Sequence, residues 1–433
     1  MNENAYVAIY TPMGLTKTIT LTDIVRHGII MGHTLCTIET DKINTIGEKS
    51  ITSIGPGISI QNLIYVDDVA GIGTRETIEA TGRNLVLMEE RKKFTFNNAK
   101  TVILPIINNN KDIKRRKTPI IQVKRGEVGT VESAKYLGEC FFTKDLNKNR
   151  INKKHKYGDL HKAGSTSILV KLKILEAVAM PALTYNMETW TNLTDQNYNT
   201  LGSYQKRLIC SIFNLDNSAP TWGLLKEVGI WHIKQIIHYK KFMLFHYIMN
   251  SSDTRMARKI LVEQHKKEYP DCWYSEIKGI AITYDINLDL ESIMNITKSR
   301  WKKQVKGRIN EEITRMDNTL NKGRKSRFLA EHDFTRQEYI NKLTNKEVME
   351  MIKLRLNMTK VKDNFKNMHD NNICEFCKQT DDTTEHIFEC NYFKRITGIY
   401  MRDTNLQETS CMEKLKKIVS YVNRVNEIKN RFC

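Results

Sequence analysis

The chain contains 433 residues, which is long enough for two or three domains that each bury a hydrophobic core. Hydrophobic residues make up 40% and charged residues 27% of the sequence, a balance that excludes a wholly disordered protein. Lys and Arg outnumber Asp and Glu by 68 to 49, which gives a formal net charge of +19. Such an excess favours a polyanionic partner, either nucleic acid or a membrane surface.

Membrane and secreted proteins are disfavoured by the sequence. The most apolar run, residues 167–183, is interrupted by Lys171, Lys173 and Glu176, so we expect no membrane-spanning helix and no membrane partner. The N-terminus lacks a basic start followed by an apolar block, so we expect no secretory signal. Nine cysteines, most of them scattered, predict a reducing intracellular compartment, either the nucleus or the cytoplasm.

Strand signals dominate the first 142 residues. Residues 7–10 and 18–20 flank a Pro-Met-Gly turn and predict a hairpin. A helix is predicted over residues 75–93, with Thr74 as its N-cap. Further strand-like runs lie at residues 63–66, 101–107, 120–124 and 136–142. This mixture predicts an α+β fold in the N-terminal part, with an antiparallel sheet and helices.

Two adjacent carboxylates stand out in the segment LIYVDDVAG, residues 63–71. Asp67 and Asp68 lie between short apolar runs, at the predicted tip of a hairpin. One interpretation is structural, because Asp is a common turn residue. The other is a Mg²⁺ site, because that ion prefers hard oxygen ligands.

The strand signals fade from about Lys144 onward, and helical periodicity replaces them. Basic charge is also concentrated here: residues 144–162 hold seven Lys or Arg against two acids, and residues 298–327 hold eleven against three. A smaller basic cluster covers residues 111–117. Each cluster alone is typical of a solvated surface, whereas three together with the overall charge favour a surface that binds phosphates. Helix-spaced apolar residues cover 169–179, 204–213, 236–249 and 348–361.

Four short motifs, VRHGIIMGHTLC, IYVDD, NNAKT and KYLG, follow one another in the first 142 residues. Their order resembles that of non-LTR (LINE-like) retrotransposon reverse transcriptases. VRHGIIMGHTLC, beginning at residue 25, resembles motif B of that family, and IYVDD resembles motif C, the Asp-Asp hairpin of the polymerase palm. NNAKT resembles motif D, and KYLG resembles motif E, the primer-grip hairpin. The chain is therefore similar to the palm of these enzymes, followed by a helical thumb and a C-terminal knuckle.

The resemblance implies an RNA-directed DNA polymerase that adds deoxynucleotides by two-metal nucleotidyl transfer. Its partners would be an RNA template, a DNA primer and deoxynucleoside triphosphates. Asp67 would coordinate Mg²⁺, Asp68 would support the metal site, and Lys100 would lie near the triphosphate. The residues implied in substrate binding are His27, Gly28, Tyr65, Tyr136, Leu137 and Gly138.

Two departures from the family pattern bear on activity. His27 stands where the family usually has Gln, which puts template positioning in doubt. The motif A aspartate lies some tens of residues before motif B in the family, but only 27 residues precede Gly28. Asp23 is too close to motif B to serve, and Asp41 lies after it. We therefore expect an incomplete palm without fingers, which holds Mg²⁺ weakly and is not a competent polymerase by itself.

A cysteine-histidine cluster lies near the C-terminus. Cys374 and Cys377 form a CxxC pair, and His386 and Cys390 follow one helical turn apart. Three thiolates and one imidazole form the closed ligand set of a structural Zn²⁺ site, although four unrelated residues in a reduced protein are the alternative. The family carries a similar CCHC knuckle beyond its thumb. The knuckle would either present Lys378, Lys394 and Arg395 to nucleic acid or only hold the C-terminal helices together.

Three hypotheses remain open at this point. The first is the polymerase, the second is a non-catalytic remnant that binds RNA or DNA, and the third is a zinc-stabilised helical interaction protein. The predicted organisation is a partial palm over 1–142, a helical thumb over 143–250, a basic helical region over 251–365, and the zinc knuckle with C-terminal helices over 366–433.

Overall fold

The chain divides into two compact units. The first comprises Met1–Arg150 and Asp253–Glu263, and the second comprises Ile151–Ser252 and Gln264–Cys433. The predicted boundaries at 142, 250 and 365 stay predictions. A computed structural model describes residues 5–7, 10–11, 14–15, 19–21, 52–55, 58–60, 62–65, 68–92, 97, 100–105, 122–123, 126–154, 166–320, 334–364, 371–399 and 411–432.

Short two-stranded ladders make up the β structure of the first unit. Six of the seven described pairs are antiparallel, and β9 with β12 is parallel. The strands are β1 (Ala5–Val7), β2 (Tyr10–Thr11), β3 (Gly14–Leu15), β4 (Ile19–Leu21), β5 (Thr52–Gly55), β6 (Ile58–Ile60), β7 (Asn62–Tyr65), β8 (Asp68–Gly71), β9 (Val102–Ile103), β10 (Gln122–Val123), β11 (Gly126–Glu127), β12 (Gly129–Thr130), β13 (Ser133–Tyr136) and β14 (Glu139–Phe142).

The predicted N-terminal hairpin is present. Strands β1 and β4 pair antiparallel, as do β2 and β3, which lie between them in the chain. The predicted helix is also present as α1 (Arg75–Lys92), and the Thr74 hydroxyl accepts a hydrogen bond from the Thr77 N–H. Helix α1 covers a small core in which Ile103 and Val128 are buried. The α+β class is therefore confirmed at the level of secondary structure.

Helices dominate the second unit. They are α2 (Leu146–Lys154), α3 (Ile168–Ile174), α4 (Met180–Leu183), α5 (Asp195–Phe213), α6 (Thr221–Val228), α7 (Ile233–Met249), α8 (Met256–Lys267), α9 (Trp273–Thr283), α10 (Leu290–Met294), α11 (Lys298–Leu320), α12 (Glu338–Lys342), α13 (Asn345–Arg355), α14 (His386–Glu389), α15 (Asn391–Thr397) and α16 (Met412–Phe432). Helices α2 and α8 span the boundaries between the two units. A π-helical turn (Leu175–Ala179) joins α3 to α4.

Local sequence explains where several of these helices begin and end. Thr194 and Thr344 form capping boxes with the residues three positions later, so they satisfy the first N–H groups of α5 and α13. Gly229 ends α6 at a φ of 67°. A Cβ at that position would lie 2.2 Å from the backbone nitrogen of Arg336, so only glycine fits there.

A large hydrophobic core lies in the second unit. Its buried residues come mainly from α3–α7 and α12–α16, and they include Cys374 and Cys390 of the cysteine-histidine segment. Trp190 and Phe213 are 1% and 0% exposed, so both are core aromatics. Trp301, which the sequence places inside a basic cluster, is also fully buried, and its indole N–H donates to the Phe242 carbonyl at 3.0 Å. Trp301 therefore anchors α11 to α7 and is not a base-stacking residue.

Two buried polar networks cross this core. The Arg355 guanidinium donates to both carboxylate oxygens of Glu227, and the Tyr339 hydroxyl donates to the same carboxylate. The His238 ring lies 3.0 Å from the Tyr284 hydroxyl and 3.2 Å from the Tyr198 hydroxyl. Each network satisfies polar groups that would otherwise be costly to bury, so both tie distant helices together.

Among the helices that the structure describes, none combines the length and the apolar character that crossing a bilayer requires.

Candidate metal centre

The structure brings the four predicted zinc ligands together. One ligand atom from each of Cys374, Cys377, His386 and Cys390 lies within 4.8 Å of all the others. A tetrahedral site with a Zn–S distance of about 2.3 Å places its corners roughly 3.8 Å apart. The cluster therefore has the ligand types and the size of a site for a metal such as Zn²⁺. It is the one such group in the ranges that the structure describes.

Backbone hydrogen bonds shape the CxxC turn. The Lys378 N–H donates to the Cys374 carbonyl at 2.9 Å, and the Cys374 N–H donates to the Thr380 carbonyl at 2.8 Å. Lys378 itself has a φ of 56°, which reverses the chain directly after the second cysteine. Both thiols consequently point into the same turn, where they converge on the residues of α14.

Helix α14 supplies the other two ligands. His386 is its first residue and Cys390 follows its last, and the Cys390 N–H donates to the His386 carbonyl at 2.8 Å. This spacing of one helical turn puts both side chains on one side of the helix, as the sequence predicted. Cys374, His386 and Cys390 are buried, whereas Cys377 is half-buried.

The two ring nitrogens of His386 have different surroundings. Nε2 lies 3.3 Å from the Cys377 sulfur, and Nδ1 lies 2.9 Å from the Thr380 hydroxyl. Nε2 is therefore the nitrogen that faces the ligand cluster. With Nδ1–H donating to the hydroxyl, Nε2 keeps its lone pair for a metal. Thr380 was not anticipated from the sequence, since a hydroxyl residue three positions after a CxxC pair carries no periodic signal.

The environment favours the protonation states that metal ligands need. Burial lowers the pKa of His386 below its ordinary value, so the neutral imidazole is preferred. Burial opposes ionisation of Cys377, but N–H groups of Gln379 and Thr380 donate to its sulfur and hold the thiol pKa below the usual value. Burial raises the pKa of Cys374, and a bound cation would counteract this by stabilising the thiolate.

Aromatic packing fixes the cluster to the helical core. The Phe376 ring, within the CxxC turn, lies 4.9 Å from the Phe393 ring of α15. The Phe388 ring stacks on Tyr421 of α16 at 5.7 Å, and the Tyr421 hydroxyl donates to the Ile387 carbonyl at 2.8 Å. The cluster is thus part of the main core rather than a separate module.

A largely buried ion pair closes the same junction. Lys429 of α16 donates to the two carboxylate oxygens of Asp382 at 2.8 and 3.0 Å, and to the Lys360 carbonyl at 3.2 Å. Asp382 also accepts from the Lys362 N–H at 3.0 Å. These contacts hold the segment between the CxxC turn and α14 against the last helix, and they support the interpretation that a metal locks the C-terminal helices.

The predicted nucleic-acid contacts of the knuckle have unequal exposure. Lys378 and Arg395 are exposed, whereas Lys394 is half-buried. Their charge would be presented beside the metal cluster, and the role of the knuckle in contacting nucleic acid stays a prediction.

The hairpin of the double aspartate is present in the first unit. Strands β7 and β8 pair antiparallel, with Tyr65 opposite Asp68, so residues 66 and 67 connect them. Asp67 lies outside the described residues, as do His27 and Gly28. The backbones of Tyr65 and Asp68 belong to the ladder, which agrees with the predicted hairpin.

The KYLG segment forms a second hairpin. Strands β13 and β14 pair antiparallel, with Tyr136 opposite Glu139. Leu137 and Gly138 connect them with φ values of 46° and 82°, as in a type I′ turn. The run 136–142, predicted as one strand, is therefore divided by this turn. The Tyr136 hydroxyl donates to the Leu63 carbonyl of β7 at 3.4 Å, which is a contact between the two hairpins.

Lys100 lies in the turn that the sequence predicted. Its N–H and that of Thr101 both donate to the Asn97 carbonyl at 2.9 Å, and its side chain is exposed. Strand β9 follows directly. The described hydrogen bonds of this turn are local, and they do not link Lys100 to either hairpin.

No family model and no curated protein matches this chain. The function is therefore inferred from the residues and the geometry described above.

Proposed function

We propose that this chain is the palm, thumb and zinc-knuckle portion of a reverse transcriptase of the non-LTR retrotransposon type. The observation that carries the proposal is a contact between two hairpins, made by Tyr136 and Leu63, which lie 73 residues apart in sequence. The first hairpin carries the double aspartate, and the second contains KYLG. The hydrogen bond from Tyr136 to Leu63 joins them. In the resemblance these are the catalytic and primer-grip hairpins, which act on the same primer end.

The proposed chemistry assigns each hairpin a part. Asp68 begins β8 and Asp67 precedes it, so their carboxylates would supply oxygen ligands for Mg²⁺ from one turn. When bound, Mg²⁺ would neutralise phosphate charge and activate the primer hydroxyl. Tyr136, Leu137 and Gly138 would position the primer beside that turn. RNA template, DNA primer and deoxynucleoside triphosphates are the proposed partners.

The geometry supports a second candidate, a chain that binds nucleic acid without extending it. Two-metal catalysis needs carboxylates from more than one direction. The described residues contain a metal-binding arrangement of Cys and His, but no comparable group of carboxylates. In this candidate the zinc cluster is structural and the +19 net charge supplies the affinity for RNA or DNA.

A primer-extension assay separates the two candidates. The purified chain is incubated with an RNA template, a complementary DNA primer, deoxynucleotides and Mg²⁺, and primer lengthening is measured. A polymerase extends the primer, and Asp67→Asn or Asp68→Asn abolishes the extension because each removes a metal ligand charge. Asp145→Asn, which neutralises an exposed carboxylate outside the hairpin, is the control and leaves extension unchanged.

Binding is measured on the same primer–template by fluorescence anisotropy at several salt concentrations. Salt-sensitive binding without extension supports the second candidate. Failure to bind RNA or DNA at low salt overturns both and leaves a zinc-stabilised interaction protein. Zinc content is measured in parallel, and about one ion per chain is expected from the Cys₃His set.

A further inference from the structure

Helix α11 carries an unusual concentration of positive charge at its N-terminal end. The eleven residues from Lys298 to Arg308 include six Lys or Arg and no acid. Five of these cations have exposed side chains: Lys298, Arg300, Lys302, Lys303 and Lys306. We call these five residues the α11 basic face. Cations near a helix N-terminus are electrostatically unfavourable because the positive end of the helix dipole lies there, so this arrangement is not explained by helix stability.

A buried stripe along the same helix holds the cations in place. Trp301, Val305, Ile309 and Ile313 recur every four residues and are at most 1% exposed. Within the basic face, Lys298, Lys302 and Lys306 follow the same spacing, so successive charges rise by about 6 Å along the axis. The buried stripe fixes α11 to the core, and the charges therefore project from a rigid surface.

Most of the basic face lacks compensating acids. In the described ranges, no ion pair involves Lys298, Arg300, Lys302 or Lys303, and Lys306 lies 5.9 Å above the Tyr239 ring. The next cation along the helix behaves differently, since Arg308 pairs with Asp285 at 3.1 Å and with Glu311 at 3.0 Å. The cations before Arg308 are therefore available to an external anion.

The surface around these charges suits a phosphate backbone. An open groove of about 400 Å³ runs along the exposed side of the helix, and it is lined by Arg300, Lys303, Gln304, Gly307, Arg308 and Glu311. A Cβ added to Gly307 would meet nothing within 4 Å, so the helix is open to close approach at that point. The outward positions between the cations are polar, which disfavours insertion into a membrane. The aromatic residue of the cluster, Trp301, is buried and offers no stacking platform for single-stranded bases.

We propose that the α11 basic face is a binding site for the phosphate backbone of duplex nucleic acid, read without sequence preference. The inference rests on the proposed function, because it names the surface through which a nucleic-acid-handling chain holds its duplex. Recognition is by charge alone: rigidly held cations neutralise phosphates and release condensed counterions. Sequence-independent contacts of this kind would hold a duplex in register while leaving its bases unread.

The test compares two variants of the full chain that each lose three positive charges. The site variant carries Arg300→Gln, Lys302→Gln and Lys303→Gln. The control variant removes three exposed cations that are paired with Glu79, Glu268 and Glu338, namely Arg75→Gln, Lys278→Gln and Lys342→Gln. Binding of fluorescein-labelled duplex DNA of two unrelated sequences is measured by anisotropy over a range of salt. Thermal unfolding of both variants is measured to verify that each is folded.

The site variant is expected to lose about 10-fold or more in duplex affinity at low salt, equally for both sequences. The slope of log affinity against log salt should decrease by about 3, since each lost phosphate contact removes about 1. The control variant should keep the slope of the unmodified chain, because its cations are already neutralised by partners.

Several outcomes would overturn the proposal. Equal losses in the two variants would mean that overall charge, and not this face, binds the duplex, while the proposed function would survive. Preference for single strands, or binding of anionic phospholipid vesicles in place of duplex, would assign the face to a different partner. If the unmodified chain binds no nucleic acid, both the proposed function and this site are refuted.

Discussion

The hydroxyl of Thr380 offers a sharp test of the metal centre. It is the partner of His386 Nδ1 at 2.9 Å, and it leaves Nε2 directed at the Cys377 sulfur. Replacing Thr380 with Val keeps the branched shape and the backbone contacts of the turn, but removes the hydrogen-bond acceptor. The ring is then free to rotate or to adopt the other tautomer, so metal binding must supply the energy that orders it.

The size of the effect follows from the surroundings of the hydroxyl. Loss of an outer-shell partner of a metal-bound histidine typically reduces metal affinity 10- to 100-fold. Thr380 is exposed, so water can replace part of the lost hydrogen bond. We therefore expect the lower end of that range: about 10-fold weaker zinc binding, which corresponds to about 1.4 kcal/mol.

Zinc affinity is measured by competition with a chromophoric chelator at fixed pH. Thr397→Val serves as the control, because its hydroxyl donates to the Phe393 carbonyl at 2.7 Å and touches no metal ligand. The control should leave the zinc affinity unchanged. An unaltered affinity in Thr380→Val would refute the assignment of Nδ1 to the hydroxyl and of Nε2 to the metal.

Three further predictions concern stability, each measured by urea denaturation. Glu227→Gln leaves the Arg355 charge buried without its carboxylate partner and should lower the free energy of unfolding by about 3–5 kcal/mol. Lys342→Gln breaks an exposed ion pair and should lower it by less than about 1 kcal/mol. Equal losses in the two variants would contradict this prediction. Burial, then the charges of nearby lysines, lowers the pKa of His238 to about 3 from 6.5. The unfolded chain therefore takes up this proton below pH 6.5 while the folded chain does not, so stability falls as the pH falls from 6.5 toward 3, by about 2 kcal/mol at pH 5. His238→Gln should reduce that pH dependence, and an unchanged dependence would refute it. Gly307→Ala should stabilise the folded chain by about 0.5–1 kcal/mol, since alanine is the better helix former and its methyl group meets open space. A loss of stability would show that another group fills the space beside this position.

Features encoded by a few neighbouring residues could be predicted from the sequence. The double-aspartate hairpin, the helix that begins after Thr74, and the Asn97 turn before β9 all form as local patterns indicated. The Cys₃His cluster also follows from spacing, because a CxxC turn and a His–Cys pair one helical turn apart each aim two ligands in one direction.

Contacts between distant segments were decided only by the tertiary structure. The sequence left open whether the knuckle stands alone, and the packing of Phe388 on Tyr421 and the pairing of Asp382 with Lys429 make it part of the main core. Trp301 lies among basic residues in the sequence, and only the structure shows that its side chain is buried against α7 and anchors α11. The physical reason is common to these cases: a side chain's role depends on what covers it, and local spacing does not encode which distant surface that is.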